Sequence, residues 1–262
     1  MLTQKLKGMV KMTTVKGLVL KEIDSGESSK SICVLTAELG VIYIYVRGGR
    51  KSGKTASSTQ ALSYSTLCFE EKRNAKGQVS RYLNSSEPVK LFYNIRLDAK
   101  KVALAAYFSE MLIYCGTEGE DHTEVLRLAL NSLHFLNEDK MDPELLKCVF
   151  EFRLLCEIGL RPGLVGCANC FSYESEPMYF DFDRNCLECA DCCQDAENRG
   201  LMALDKTMLY LVRFIALTDY ERLFYFKISD RYLEKLNFFT ERFIACHFKH
   251  RFSTLEFYKM MK

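Results

Sequence analysis

A chain of 262 residues with 48% hydrophobic content and 12 cysteines is long and apolar enough for one large folded domain or two modest ones. No run reaches about 18 apolar residues, which excludes a membrane-spanning helix, and no apolar stretch of about 7–15 residues follows the N-terminus, which argues for the cytoplasm over an oxidising compartment. The net charge of +2 is unevenly spread: residues 1–90 carry 15 Lys and Arg against 7 Asp and Glu, the remainder 21 against 27. A basic half suits nucleic acid, the alternative being a solvated face without function.

Residues 1–12 are a Met- and Lys-rich extension without a period. From Thr14 short β-rich runs follow at 15–21, 31–36, 41–47, 64–70 and 79–83, separated by turn residues such as Asp24-Ser25-Gly26 and Gly40. Five short strands in this span predict a small closed or nearly closed barrel. In the third run Ile42, Ile44 and Val46 share one face and Tyr43, Tyr45 and Arg47 the other. One face fills a barrel. The other offers rings beside a cation, either as a platform for bases or as packing against the helical domain.

That strand enters Gly48-Gly49-Arg50-Lys51-Ser52-Gly53-Lys54-Thr55, which matches the phosphate-loop pattern G-x-x-x-x-G-K-[ST] at 48–55. A nucleotide-hydrolysing site needs a buried parallel strand before this loop and a firm helix after it. Here the preceding strand alternates, the following segment is rich in Ser and Thr, and the loop reads as a basic phosphate-seeking element. Arg47, Arg50, Lys51 and Lys54 are the leading candidates for DNA contact, with Lys16, Lys30, Lys72 and Arg81 behind them and Tyr43 and Tyr45 as stacking rings. A P-loop NTPase is the alternative.

Asn84-Ser85-Ser86-Glu87-Pro88 predicts a junction that ends a barrel domain at 13–85 and opens a helical domain at 90–262. Leu97, Leu104, Phe108, Met111 and Leu112 form one helical stripe, and Val125, Leu126, Leu130, Leu133 and Leu136 a second. Asp142-Pro143 is an N-cap followed by Pro at the first helical position, opening a third helix to about Gly159. Two more helices are expected near 204–217 and 229–248.

Between them lies a knuckle, 163–195, holding Cys167, Cys170, Cys186, Cys189, Cys192 and Cys193. Two Cys-x-x-Cys pairs about 15–20 residues apart are the pattern of a tetrahedral thiolate zinc site, and four thiolates leave the ion no open position, so such a zinc is structural. Both Cys186–Cys189 and Cys189–Cys192 satisfy the spacing as the second pair.

Along nearly the whole chain the residues resemble the bacterial recombination-mediator family RecO. Gly17-Leu-Val-Leu20, Leu35-Thr-x-Glu38-x-Gly40 and Arg47-Gly48-x-Arg50-Lys51 look like its N-terminal barrel; Arg96-Leu97-Asp98 with Ala106-Tyr107-Phe108-x-Glu110 looks like its first long helix. Phe150-Glu151-x-x-Leu154-Leu155, Gly159-Leu160-x-Pro162 and Cys167-x-x-Cys170 look like the entry to its zinc site. The family usually has two glycines before its second cysteine pair, where Asn185 and Cys186 stand in this chain. The resemblance implies an α+β multidomain protein, an OB-fold barrel followed by an all-α domain with a four-cysteine zinc knuckle. Aligning Phe180 with the family's Phe selects Cys167, Cys170, Cys189 and Cys192 as ligands of one zinc. It further implies a non-enzymatic, cytoplasmic, nucleoid-associated protein that binds single- and double-stranded DNA and anneals strands. With RecR it places RecA on DNA coated by single-strand-binding protein. A zinc-containing adaptor whose basic half is only soluble surface is a third reading.

Overall fold

The computed structural model describes residues 11–25, 27–48, 53–74 and 76–261, with the side chain of Lys54 outside that description. Strands β1 (Lys11–Ser25), β2 (Ser29–Thr36), β3 (Gly40–Val46), β4 (Ser63–Arg73) and β5 (Val79–Leu91) close a barrel in the order β1-β2-β3-β5-β4. That order is the OB-fold. Ile42, Ile44 and Val46 point inward with Val15, Val19, Ile32, Val34, Leu67 and Phe69, as the alternation predicts. The first strand is longer than its apolar centre because it closes the barrel, pairing along its first half with β4 and along its second with β2, with a bulge at Leu20 within the β2 pairing. Gly17 lies where a Cβ would meet Val34 Cγ1 at 2.4 Å, so strand crossing needs a glycine there.

One expectation changes. Asn84–Pro88 is strand and not junction: β5 pairs with β4 as far as Ser63↔Leu91, and bulges absorb Asn84 and Val89. Pro88, which has no N–H, is tolerated because this stretch pairs only with β4. The barrel is followed in the chain by the helical region, and the first helices and the last group with the barrel by compactness. Among the described residues, those within 11–133 and 252–261 form one compact unit and 134–251 the other.

In the first unit, α1 (Gly53–Ala56) is a single turn between β3 and β4. After α2 (Tyr93–Arg96) comes α3 (Ala99–Cys115), capped by Asp98, which accepts from the amides of Lys100 and Lys101. Leu104, Phe108, Met111 and Leu112 are buried in the expected stripe, but Leu97 is 84% exposed because it precedes the cap and lies outside the helix. Between α3 and α4 (Thr123–Asn137), residues 117–122 dock on the β2–β3 turn: Val41 N donates to Thr117 O, Gly119 N to Leu39 O and His122 N to Ala37 O.

The second unit opens at α5 (Pro143–Leu155), with Asp142 as cap and Pro143 at the first position. A five-residue π turn, Cys156–Leu160, contains Gly159 with φ of 92° and leads into a small sheet. Its strands β6 (Gly163–Cys167), β7 (Met178–Asp181), β8 (Cys186–Cys189) and β9 (Met202–Leu204) are ordered β6-β8-β7-β9. Helices α6 (Lys206–Leu217), α7 (Tyr220–Leu223) and α8 (Asp230–His247) follow, and α9 (Ser253–Lys259) returns to the first unit against α3. Phe180 packs on Phe239 of α8 at 4.9 Å between ring centroids, and Phe152 of α5 on the same ring at 5.3 Å, so one aromatic core joins sheet and helices. No helix among the described residues is long and apolar enough to cross a membrane.

Candidate functional site

The sulfur atoms of Cys167, Cys170, Cys189 and Cys192 all lie within 4.8 Å of one another. Strands β6 and β8 run parallel and side by side, so the turn after Cys167 and the turn after Cys189 are brought together. In the first, Phe171 N bonds Cys167 O; in the second, Cys192 N and Cys193 N both bond Cys189 O. Cys186 is not in this group: three residues before Cys189, it faces the other side of β8. All twelve cysteines are free thiols.

The donors fit a metal. Four sulfurs about 2.3 Å from a tetrahedral ion stand roughly 3.8 Å apart, and Cys170 Sγ and Cys189 Sγ are 3.5 Å apart. Burial pushes the Cys167 thiol up, but the backbone amides of Cys189, Cys170 and Asn169 outweigh it and bring the pKa down to about 6. Cys192 is pushed up by its hydrogen bonds with Cys189 and Cys170. The Cys167 thiolate forms readily while Cys189 and Cys192 resist following it, a conflict that a central cation removes. Beside the cluster, Arg199 donates to Glu188 and Asp181, tying the segment after Cys192 to β7 and β8.

The barrel carries a second candidate site. A groove of about 600 Å³ on its outer face is lined by Ser31, Tyr43, Tyr45, Arg47, the β5 residues 79–82 and Glu118. Tyr43 is 51% exposed, and Tyr45 meets Tyr82 edge-on at 5.7 Å, so the neighbour of Tyr45 belongs to the barrel. Arg47 lies 5.0 Å and Lys72 5.1 Å from the Tyr82 ring centroid. The sequence alone does not single out Tyr82. It reaches the groove only because β5 inserts beside β3, where Tyr45 and Tyr82 are register partners.

The other cations differ from a uniform basic face. Lys16 is exposed on β1. Lys72 pairs with Glu70 at 2.8 Å. Lys30 is buried, held by Glu22 at 2.5 Å and Thr59 O at 3.0 Å, and serves to anchor the segment after α1 to the barrel. Arg81 is buried between Glu71 and Glu118. Arg50, Lys51 and the Lys54 side chain lie outside the described residues. The phosphate-loop alternative loses its context: β3 is antiparallel to β2 and touches β5 at one bridge, and α1 is a single turn.

Comparison with known proteins places these features. The sequence model described as Recombination protein O N terminal matches residues 9–92, and that described as Recombination protein O C terminal matches residues 96–256. The DNA repair protein RecO of Acetivibrio thermocellus is 26% identical over 246 residues, covering 94% of this chain and 95% of its own. That of Caldicellulosiruptor saccharolyticus is 25% identical over 97% of this chain and 100% of its own, and that of Anaeromyxobacter sp. strain K is 33% identical over 70% of each. Spanning both halves of the pattern, barrel and cysteine-bearing helical region alike, the chain belongs to the RecO family of recombination and DNA-repair proteins.

Proposed function

We propose that this chain is a non-enzymatic recombination mediator that binds and anneals single-stranded DNA through its barrel and assists RecA loading together with RecR. The observation that carries the reading is the groove in which Tyr43, Tyr45 and Tyr82 stand beside Arg47. Rings stack on bases of any sequence while cations follow the phosphates, which is what a sequence-tolerant single-strand binder requires. Double-stranded DNA and single-strand-binding protein are further partners of this reading, and the cytoplasm its place. One zinc held by Cys167, Cys170, Cys189 and Cys192 completes it. A four-thiolate zinc supplies folding energy and no reactive position.

The test is an anisotropy titration of the full chain with single-stranded oligonucleotides of several sequences at two salt concentrations. Tyr82→Ala is expected to weaken binding by about 1–3 kcal/mol on every sequence, as is Tyr45→Ala. Arg47→Ala should reduce the slope of log affinity against log salt by about 0.7. Unchanged affinity in all three variants overturns the placement and favours the adaptor reading.

A further inference from the structure

Within the groove, Glu118 is the only carboxylate among the described lining residues. Its backbone is built in and does not arrive by chance. Gly40 and Glu118 form an isolated bridge, and the neighbouring bonds from Val41 N to Thr117 O (3.2 Å) and Gly119 N to Leu39 O (3.0 Å) hold the segment on both sides. A Cβ on Gly40 would lie 1.9 Å from Thr117 O, so this docking requires the glycine. Glu118 is thereby delivered from the connection after α3 to β5, where its Oε1 accepts from Arg81 Nη2 at 2.7 Å.

Arg81 already has a partner. Its Nε donates to Glu71 Oε1 at 3.0 Å, and its side chain is 8% exposed, against 52% for Glu118. Two carboxylates share one guanidinium at this end, whereas on the other flank of Tyr82 the Lys72 charge is matched by Glu70 and Arg47 adds a further cation. A phosphate would find its natural cation occupied and an exposed carboxylate in front of it.

We propose that Glu118 sets the groove's preference for single-stranded over duplex DNA, by holding Arg81 in a carboxylate pair and keeping phosphate off that wall. The proposal rests on the reading of this groove as the DNA site. A single strand can turn its bases onto the tyrosines and keep its one backbone on the Arg47 flank. A duplex hides its bases and presents two backbones, about one charge per 1.7 Å of axis, so it meets the Glu118 wall with phosphate. The same carboxylate therefore penalises duplex more than single strand.

The experiment measures the affinity of the full chain for one oligonucleotide, single-stranded and as its duplex, in Glu118→Gln, Arg81→Gln/Glu118→Gln, Tyr82→Ala and Arg47→Ala, with thermal melting to verify folding. Glu118→Gln is expected to tighten duplex binding about five- to tenfold and single-strand binding about twofold or less, and to steepen the duplex salt slope by about 0.9 as Arg81 takes a phosphate. In the double variant that gain in slope disappears. Equal change on both DNAs, or none, while Tyr82→Ala and Arg47→Ala still weaken binding, overturns the role of Glu118 and leaves the groove standing. If Tyr82→Ala and Arg47→Ala leave binding unchanged, the groove reading itself fails. Should Glu118→Gln melt early, the duplex-to-single-strand ratio of Glu118→Ala, measured below its melting temperature, decides on the same terms.

Discussion

Cys170 Sγ and Cys189 Sγ approach to 3.5 Å from turns 19 residues apart in sequence, yet they form no disulfide. Each belongs to a different Cys-x-x-Cys pair, so the contact crosses the cluster. Metal analysis of the purified chain should find one zinc. Serine at Cys167, Cys170, Cys189 or Cys192 should lose it, whereas serine at Cys186 or Cys193 should retain it. Because a structural ion contributes folding free energy, chelation should lower the melting temperature by about 10 °C or more. Zinc retained in Cys192→Ser but lost in Cys186→Ser would reject this ligand set.

Much of this architecture is legible in the sequence, and what is not has a common cause. Alternation in Ile42-Tyr43-Ile44-Tyr45-Val46 is a local property and shows directly which face fills the barrel. The cysteine spacing is local too, though it leaves two registers; the strand that carries Cys186 and Cys189 turns one of them away. Charge partners are not local. Lys30 and Arg81 read as surface cations, but Glu22 lies across the β1–β2 hairpin and Glu118 is 37 residues beyond Arg81. Tyr82 escapes sequence reasoning for the same reason, since only the closure of β5 on β3 sets it beside Tyr45.

Gly40 offers a test of the docked segment that delivers Glu118. Its φ is 65°, and a methyl group added there would sit 1.9 Å from Thr117 O, so Gly40→Ala is strained in backbone and blocked in space. Urea denaturation should show a loss of about 2–4 kcal/mol. Gly119→Ala, at φ of 87° with nothing within 4 Å, should cost only about 1 kcal/mol. Equal losses at the two sites would mean that backbone strain alone matters and that the Thr117 contact does not.

Lys147 is fully buried on α5, with Glu151 at 3.0 Å, Asn237 at 2.7 Å and Glu241 at 3.2 Å. An i,i+4 Lys–Glu pair usually marks a wet helix face, yet both members are 0% exposed. Lys147→Met leaves Glu151 charged and without its cation in the core, and should destabilise by about 3–5 kcal/mol. Adding Glu151→Gln removes the stranded charge and should recover roughly half of that loss. A double variant no more stable than Lys147→Met would show that packing, not charge, sets the penalty.

Asp205 links stability to pH in the same unit. It caps α6, accepting from Met208 N at 2.9 Å, and receives Lys235 Nζ from α8 at 2.7 Å. Burial pushes its carboxyl up, but Lys235 and the Met208 amide outweigh burial and hold it below the ordinary carboxylate value. The folded protein therefore binds this proton less readily than the unfolded chain. The resulting stability is complete above the unfolded value of about 3.9 and is lost as pH falls through the lower folded value. Asparagine keeps the cap and removes the charge. Asp205→Asn should thus be less stable by about 1 kcal/mol at pH 7, a modest figure because Asp205 and Lys235 are each about one-third exposed. In urea titrations between pH 7 and pH 2.5 the two curves should converge as acid is added. A gap that stays constant across that range would assign the loss to altered capping geometry and remove the Lys235 charge pair from the account.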